Sequence, residues 1–286
     1  MRMNTLPIFA TAQMNSQDSI EQNLSDVAQL MQQAQQQQAS LLVLPENFVC
    51  FAAGQQAKTA ARFDDIVQQL QTLAAKHHLW LVAGSIPCPY RPNGQPVANG
   101  RVRSASLLIS PEAKIVARYD KIHLFDVQVG DNTGSYHESA TFEPGNAVVV
   151  ANTPFGKLGM MICYDLRFPE LALALRQQGA DFMSAPSAFT YTTGQIHWQL
   201  LLRARAADTQ CYLLGAGQQG THGTKPPLRQ TWGHSAISNA AGEIIAERFD
   251  AGMGIVTAEF DIEAVNNRRK SMPLMQHRRL GLLKEF

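Results

Sequence analysis

Short apolar runs alternate along the chain with longer segments that are apolar on one face only. Residues 41–44 form an uninterrupted apolar run, typical of a buried strand, and the segment before them carries apolar residues at helical spacing. That helix is predicted to begin at Ser19, because Ser19 and Gln22 are spaced as in a capping box. A second helix is predicted over 64–76, before a strand over 79–86. The N-terminal part of the chain therefore predicts strands connected by helices.

The middle of the chain shows a different pattern, in which turn residues join apolar runs directly. Pro111 and Pro154 each separate two such runs, which predicts two hairpins. Helix and strand then alternate again towards the C-terminus. The other predicted elements are strands over 6–13, 102–110, 114–119, 147–151, 157–163, 181–185, 211–217 and 254–260, a hairpin of 235–239 with 243–247, and helices over 169–178, over 195–208 and from Asp261. This order predicts an α/β fold in which sheets pack face to face beneath helices.

The composition is consistent with one large core and argues against several classes of function. The chain has 286 residues, 45% of them hydrophobic, and shows no linker-like segment, so a single domain over 1–286 is predicted. A formal net charge of +1 gives no electrostatic reason to expect nucleic acid or a membrane surface as a partner. The sequence shows neither a signal peptide nor an apolar run of membrane-spanning length, and its four cysteines form no CxxC pair. A reducing, cytoplasmic location is the expectation.

Three apolar runs end in residues that can take part in catalysis. Cys163 ends one run, just before a helix predicted to have Pro169 near its first position. Glu46 follows the run over 41–44, and Lys121 follows another strand-like run. In open α/β sheets, functional groups gather at the carboxyl ends of strands. An acid, an ammonium group and a thiol at three strand ends make a candidate active site.

A cysteine nucleophile needs a base or a cation beside it, because a free thiol is only a few per cent ionised at pH 7. Glu46 is the candidate base. Lys121 is the candidate cation, which would favour the thiolate and then hold the negative oxygen of a tetrahedral intermediate. Taken singly, each also has an ordinary interpretation, as a loop acid and a surface lysine. The other cysteines are predicted to be buried core residues: Cys50, Cys88 and Cys211.

Two other arrangements remain open from the residues alone. Cys163 can be activated by a histidine, and four are available: His123, His137, His197 and His234. A metal hydrolase is conceivable with Asp120, His123 and Asp126 as the metal ligands, although their spacing matches no established metal motif. We therefore expect no metal and no cofactor.

The segments around the three strand ends resemble the signature motifs of the nitrilase superfamily, the carbon–nitrogen hydrolases. The resemblance covers nearly the whole chain. It implies a four-layer αββα sandwich that forms a homodimer or a higher homo-oligomer across a helical face, with a tail from about residue 270 contacting the partner. The motif segments are Pro45-Glu46, Tyr119-Asp120-Lys121-Ile122-His123-Leu124-Phe125-Asp126 and Ile162-Cys163-Tyr164-Asp165-Leu166-Arg167-Phe168-Pro169-Glu170.

The resemblance also implies roles by position. Cys163 would be the nucleophile, Glu46 the general base and acid, and Lys121 the cation that stabilises the oxyanion. Glu138 matches the usual place of a second acid, which orients the lysine or a water molecule. The backbone N–H of Tyr164 would complete the oxyanion hole. These roles disfavour a cysteine–histidine pair.

Within the superfamily the chain resembles the Nit branch and, inside it, the deaminated glutathione amidases, which release 2-oxoglutarate and cysteinylglycine. An ω-amidase acting on 2-oxoglutaramate or on short dicarboxylic acid monoamides is the alternative. A catalytically silent binding protein of the same fold is the non-enzyme alternative, which the presence of acid, lysine and thiol disfavours. The matching segments are Pro186-Ser187-Ala188-Phe189, Leu202-Arg203-Ala204-Arg205-Ala206, Gln210-Cys211-Tyr212 and Gln276-His277-Arg278-Arg279.

A small-molecule amide with a carboxylate beside a 2-keto group is the substrate that this resemblance implies. Such a group is best held by an arginine. Arg167 is the candidate, with Phe189 and Thr193 lining the pocket, and its alternative interpretation is a structural ion pair. His222 and the loop over 219–227 are further candidates for shaping the pocket around the longer substrate.

Overall fold

The computed structural model describes residues 5–130, 134–223 and 228–280. The strands are β1 (Ile8–Met14), β2 (Ala39–Val43), β3 (Trp80–Cys88), β4 (Arg103–Ile109), β5 (Ile115–Asp120), β6 (Asp126–Gln128), β7 (Ser135–His137), β8 (Val150–Thr153), β9 (Gly156–Met160), β10 (Phe182–Ser187), β11 (Tyr212–His222), β12 (Arg229–Trp232), β13 (Ala236–Ser238), β14 (Ile244–Glu247) and β15 (Gly254–Glu259). The helices are α1 (Ile20–Gln36), α2 (Gln56–Ala60), α3 (Phe63–His77), α4 (Pro169–Gln177), α5 (Tyr191–Thr209), α6 (Ile262–Ser271) and α7 (Leu274–His277). Glu138–Ala140 and Cys163–Arg167 are short 3-10 turns.

All the strands except β6 and β7 belong to one sheet, which folds into two halves. Its main path runs β5-β4-β3-β2-β1-β11-β10-β9-β8, and β6 pairs separately with β7. The halves meet where β1 runs parallel to β11, with Gln13 opposite Gly217 and Met14 opposite Gln218. In each half, parallel strands lie nearest this junction, so their carboxyl ends come together there.

Two layers of buried side chains produce the four-layer architecture. Successive side chains of a strand point to opposite faces, and the two faces of β1 and β2 contribute to different clusters. Phe9 and Leu41 pack between the halves, where the rings of Phe9 and Phe182 lie 4.7 Å apart. Ala10 and Leu42 pack on the other face, against α1 and α3. Helices α4 and α5 cover the second half. The predicted αββα sandwich is confirmed.

Local capping explains where several helices begin. The hydroxyl of Ser19 accepts the Gln22 N–H at 3.2 Å, so α1 begins where predicted. The Gln22 side chain donates instead to Asp26 at 2.9 Å, so half of the predicted capping box forms. Helix α5 begins at Tyr191, four residues before the predicted start, because the hydroxyl of Thr190 accepts the Thr193 N–H at 3.3 Å.

The structure corrects the ends of two of the predicted strands. The strand predicted over 157–163 ends at Met160, because Cys163 takes a positive φ of 49° and opens a 3-10 turn. Strand β11 extends to His222, because β12 pairs with it in antiparallel fashion. The part of the predicted 219–227 loop that covers 219–222 is therefore strand, and 224–227 lies outside the described residues.

The segment after α6 makes a contact within the chain. After α6, the carbonyl of Met272 accepts a hydrogen bond from the Gln210 side chain at 2.8 Å. Residues 281–286 of the predicted tail lie outside the described part of the chain. None of the helices in the described ranges has the length and apolar character that a membrane crossing needs.

Candidate active site

Cys163 lies at a strand-to-helix turn between β9 and α4. Its φ of 49° is unusual for a residue with a side chain. The turn is held from below by Asp165, which is fully buried and accepts the Ile162 N–H at 2.9 Å. The thiol sulfur accepts the Ala188 N–H from the end of β10 at 3.5 Å. The nucleophile candidate is therefore positioned by two neighbouring strands.

Asp165 also connects this turn to the segment that carries the lysine. Its carboxylate accepts the Tyr119 hydroxyl at 2.7 Å and lies 2.7 Å from Nδ1 of His123. The His123 ring stacks on Phe168 at 3.6 Å between centroids. This geometry places His123 beside Asp165 as a structural contact and argues against His123 as the base for Cys163.

Glu46 reaches the site from the loop after β2, where its side chain is almost fully buried. Its carbonyl accepts a hydrogen bond from Gln218 at 3.1 Å, and the following Asn47 N–H donates to Ser85 at 3.0 Å. The loop lies so close to β3 that a Cβ on Gly84 would stand 1.9 Å from the Pro45 carbonyl oxygen. Glycine at position 84 is thus required for the loop that delivers Glu46.

Lys121 directly follows β5 and is buried, with 2% of its side chain exposed. Its Nζ lies 2.7 Å from Glu46 Oε1 and 2.9 Å from Glu138 Oε2. Glu138, in the 3-10 turn after β7, also accepts the Phe125 N–H at 2.6 Å. Nζ also lies 3.0 Å from Glu138 Oε1, so three carboxylate oxygens lie within hydrogen-bonding distance of the three ammonium donors. The predicted grouping of Glu46, Lys121 and Glu138 is present in the fold.

The electrostatics of this cluster favour a protonated thiol at rest. Burial raises the pKa of the Cys163 thiol well above its usual value, the Glu46 carboxylate raises it further, and Lys121 opposes both. Burial disfavours the charge on Lys121, but Glu138 and Glu46 outweigh this effect and raise its pKa. Burial also raises the pKa of Glu138. A neutral thiol beside a carboxylate can attack a carbonyl carbon while it transfers its proton to that carboxylate.

These groups open into a cavity of about 480 Å³, a size that suits a small metabolite. Tyr164, in the first turn after Cys163, lines it, and N–H groups at such a position have no partner within the turn. Among the other residues that line the cavity are Arg167, Phe189, Thr193, His222 and Arg229. The structure thus brings every predicted site residue to one cavity.

Arg167 shows no ion pair with any residue of the described ranges. Its guanidinium lies 5.3 Å from the Phe189 ring centroid, and Nη1 lies 3.3 Å from Nδ1 of His197. The structural ion pair considered as its alternative is not seen. Within the part of the chain that the structure describes, Arg167 therefore presents to the cavity a positive charge that no carboxylate pairs with.

His222 supports the cavity wall. Its Nδ1 lies 2.8 Å from the Ser16 carbonyl oxygen and its Nε2 lies 2.7 Å from the Thr231 hydroxyl, so both nitrogens are engaged. Burial lowers its pKa to about 4. A neutral ring with two hydrogen bonds holds β11 to β12 and does not exchange protons with a substrate near pH 7.

The residues considered for a metal site do not converge. Asp120 accepts Arg118 Nε at 2.7 Å, and Asp126 accepts the Ser139 N–H at 3.0 Å. His123 is engaged by Asp165. No group of three potential ligands is found in the ranges that the structure describes.

Comparison with known proteins identifies the family of this chain. Residues 9–270 match the family model described as carbon-nitrogen hydrolase. The chain belongs to the carbon–nitrogen hydrolase family. It is similar to the deaminated glutathione amidase of Yersinia enterocolitica, with 40% identity over 91% of this chain and 89% of that protein. The deaminated glutathione amidase of Homo sapiens is 36% identical over 97% of this chain and 84% of its own length.

Solved structures agree with this assignment. The crystal structure of Nit3 from Saccharomyces cerevisiae, a member of branch 10 of the nitrilase superfamily, superimposes with a TM-score of 0.80. The two chains are 31% identical over 96% of this chain and 97% of that one. The carbon–nitrogen hydrolase family and the nitrilase fold, both predicted from the motifs, are confirmed.

Three contributors to this carbon–nitrogen hydrolase site were not predicted from the sequence. Asp165 lies inside the quoted motif two residues after the cysteine, so its position was available as a signal. Arg229 gave no such signal, because it lies far from the motifs along the chain and reaches the cavity through the β11–β12 pairing. Phe51 follows Glu46 closely but lies outside the quoted motif, and the loop after Glu46 brings it to the cavity.

Proposed function

We propose that this carbon–nitrogen hydrolase is a deaminated glutathione amidase that releases 2-oxoglutarate and cysteinylglycine through a thioester on Cys163. The observation that carries the proposal is the convergence of the thiol with Glu46 and Lys121 in one cavity. The relatives named deaminated glutathione amidase support the choice of substrate.

Acylation begins with the neutral thiol. Glu46 takes the thiol proton while sulfur bonds to the amide carbon and the carbonyl π electrons move to oxygen. The positive charge of Lys121 and the Tyr164 N–H stabilise that oxygen. Glu46 then delivers its proton to the amide nitrogen, the C–N bond breaks, and cysteinylglycine leaves as an amine.

Deacylation uses the same carboxylate, which now acts as the base for water. Glu46 takes a proton from water, whose oxygen attacks the thioester carbon. The tetrahedral intermediate collapses, the C–S bond breaks, and the thiolate recovers the proton from Glu46. Glu138 keeps Lys121 in place through both halves, and Arg167 holds the carboxylate beside the 2-keto group.

Steady-state assays of the purified protein test this proposal. We expect the highest kcat/KM on deaminated glutathione, a lower value on 2-oxoglutaramate, and little turnover of a simple aliphatic amide. Comparable values on the first two would favour the ω-amidase alternative. No turnover of any amide would favour the silent binding protein. Intact-mass detection of an oxoglutaryl adduct on Cys163 tests the chemistry independently of the preferred substrate.

We also propose that the protein is a homodimer that packs across α5. Exposed apolar side chains recur along this helix at Tyr191, Ile196 and Leu200, with 49%, 64% and 60% of their surfaces accessible. An apolar patch of this kind on a helical face fits a subunit contact. A sedimentation measurement in which Ile196→Glu with Leu200→Glu stays dimeric would contradict this placement.

The remaining partners and the location are proposed on simpler grounds. The small-molecule amide is the expected partner, and nucleic acid and membranes are not, given the net charge of +1. All four cysteines are free, which fits a reducing cytoplasm. Fractionation of the native cells, with the protein found outside the cytosol, would contradict this location.

A further inference from the structure

The cavity holds a second arginine, Arg229, that the proposed mechanism does not use. Arg229 begins β12 and lines the cavity, yet it makes no ion pair with any residue that the structure describes. Its Nε is buried without a hydrogen-bond partner in those ranges, and Nη2 has a long contact of 3.4 Å to the Ala188 carbonyl oxygen. A buried guanidinium nitrogen without an acceptor is costly unless a ligand supplies one.

Aromatic rings hold this guanidinium in place. Its central carbon lies 4.6 Å from the Phe51 ring centroid and 5.0 Å from that of Tyr136. The Phe51 ring in turn packs on His222 at 4.2 Å between centroids. His222 lies directly opposite Arg229 in the β11–β12 pairing. Stacking of this kind orients a guanidinium while leaving its N–H edge able to bind a carboxylate.

Among the described residues of the cavity wall, no acid is available to neutralise Arg229. The carboxylates that line the cavity are those of Glu46 and Glu138, and both bind Lys121. Arg167 and Arg229 thus contribute two positive charges that no acid of the described wall balances. A ligand with two carboxylates would balance them, whereas a ligand with one carboxylate would leave one guanidinium unpaired.

The position of Arg229 indicates which end of the substrate it meets. It contacts Phe51, on the segment that follows Glu46, and Tyr136, just before Glu138. Arg167 instead lies in the turn that begins with Cys163. In the mechanism above, Glu46 protonates the departing nitrogen. An amine portion that receives its proton from Glu46 and extends along the segment after Glu46 would therefore meet Arg229.

We propose that Arg229 is a specificity residue that binds a carboxylate on the amine portion of the substrate, a different carboxylate from the one held by Arg167. The inference rests on the proposed amidase function and deepens it. It identifies the substrate class as amides that carry one carboxylate on the acyl side and a second on the leaving group. The glycine carboxylate of deaminated glutathione is such a group.

The first test changes the substrate and leaves the enzyme intact. Deaminated glutathione is compared with its C-terminal carboxamide, in which the glycine carboxylate becomes a neutral amide. We expect kcat/KM to fall by about ten- to a hundredfold for the carboxamide, mainly through KM, because a charged hydrogen-bond pair is lost. Equal kcat/KM on the two compounds would overturn the inference and leave the amidase function standing.

The second test changes the arginine. For Arg229→Gln we expect a loss of similar size on deaminated glutathione, while the carboxamide and 2-oxoglutaramate change by less than about threefold. Arg229→Lys should retain part of the preference, since it keeps the charge without the planar fork. Arg167→Gln should instead lower kcat/KM on all three. Arg62→Gln, on the surface, is the matched control.

The outcomes separate the two proposals. If Arg229→Gln lowers kcat/KM equally on all three compounds, Arg229 supports the cavity wall and the inference is wrong. Thermal unfolding of each variant shows whether such a loss reflects misfolding. If a variant is misfolded, the comparison of deaminated glutathione with its carboxamide on the unaltered enzyme decides whether the inference holds. If the unaltered enzyme hydrolyses none of the three, the proposed function fails, and the inference fails with it.

Discussion

Two networks of charged side chains begin at neighbouring residues and serve different purposes. Asp120 faces one way and accepts Arg118 Nε at 2.7 Å. Lys121 faces the other way and binds Glu46 at 2.7 Å. In the first network several arginines surround two acids, Asp120 and Glu143. Its arginines are Arg91, Arg101, Arg103 and Arg118.

The two networks differ in charge balance and in burial. Glu143 binds Arg91 at 2.8 Å and also pairs with Arg103, and the hydrogen bond to Arg91 is the largest effect that lowers its pKa to about 2. In the second network one buried ammonium group pairs with two carboxylates, so one carboxylate charge has no counter-charge of its own. The first network has more arginines than acids, so both of its carboxylates are fully paired and serve to hold strands together. The second keeps a carboxylate able to accept a proton, which a fully neutralised pair would not do.

The largest expected effect on activity comes from removing the thiol while the charged groups around it stay in place. Cys163→Ala should lower kcat/KM by at least about a thousandfold, because Glu46 and Lys121 alone provide no covalent intermediate. Stability should change little, since the thiol is small. Substantial amide hydrolysis by this variant, measured with a coupled assay for the released amine, would mean that the charge network alone is catalytic.

Removal of the shared cation should damage both activity and stability. Lys121→Met leaves Glu46 and Glu138 buried together without a counter-charge, which should cost about 3–5 kcal/mol in the free energy of unfolding. We expect turnover to fall by about a hundredfold or more. Urea unfolding and steady-state kinetics measure the two effects. Arg118→Gln is the control in the other network, where Asp120 keeps Arg103 at 3.8 Å, and it should retain activity.

Neutralising the proposed base should separate activity from stability. Glu46→Gln should lower kcat by a factor of about 10² to 10⁴, because proton transfer is lost. Its free energy of unfolding should be unchanged or higher, since Lys121 keeps Glu138 at 2.9 Å and the two carboxylates no longer repel each other. A variant that is inactive because it is unfolded would argue for a structural role of Glu46.

The smallest effect concerns pH and the arginine network. The folded-state pKa of Glu143 lies near 2, below the value of about 4.3 for an unperturbed glutamate. Its stabilising contribution is therefore present above pH ~4.3 and is lost as the pH falls towards 2. Glu143→Gln should be less stable than the parent at pH 7, and the difference should shrink below pH ~4. A constant difference from pH 7 to pH 3, in chemical unfolding, would contradict this.

Most secondary-structure elements and their order along the chain were predicted from the sequence, because local signals specify them. The apolar run over 41–44, the Ser19 cap and Pro169 each determine an element through contacts a few residues apart. The hairpin of 235–239 with 243–247 appears as β13 and β14. Helix α2, strand β12 and the β6–β7 pair were missed, since they lack strong periodicity and depend on distant partners.

For the site, the sequence by itself determined the chemistry: a thiol, an acid and a lysine at strand ends, within motifs that identify the carbon–nitrogen hydrolase family. Only the tertiary structure decided how those groups are charged and what surrounds them. Asp165 beneath the turn, the sharing of Lys121 by two carboxylates and the stacked Arg229 all arise from contacts between residues distant in the chain. Burial and neighbouring charge set proton affinity, and both depend on the packed fold.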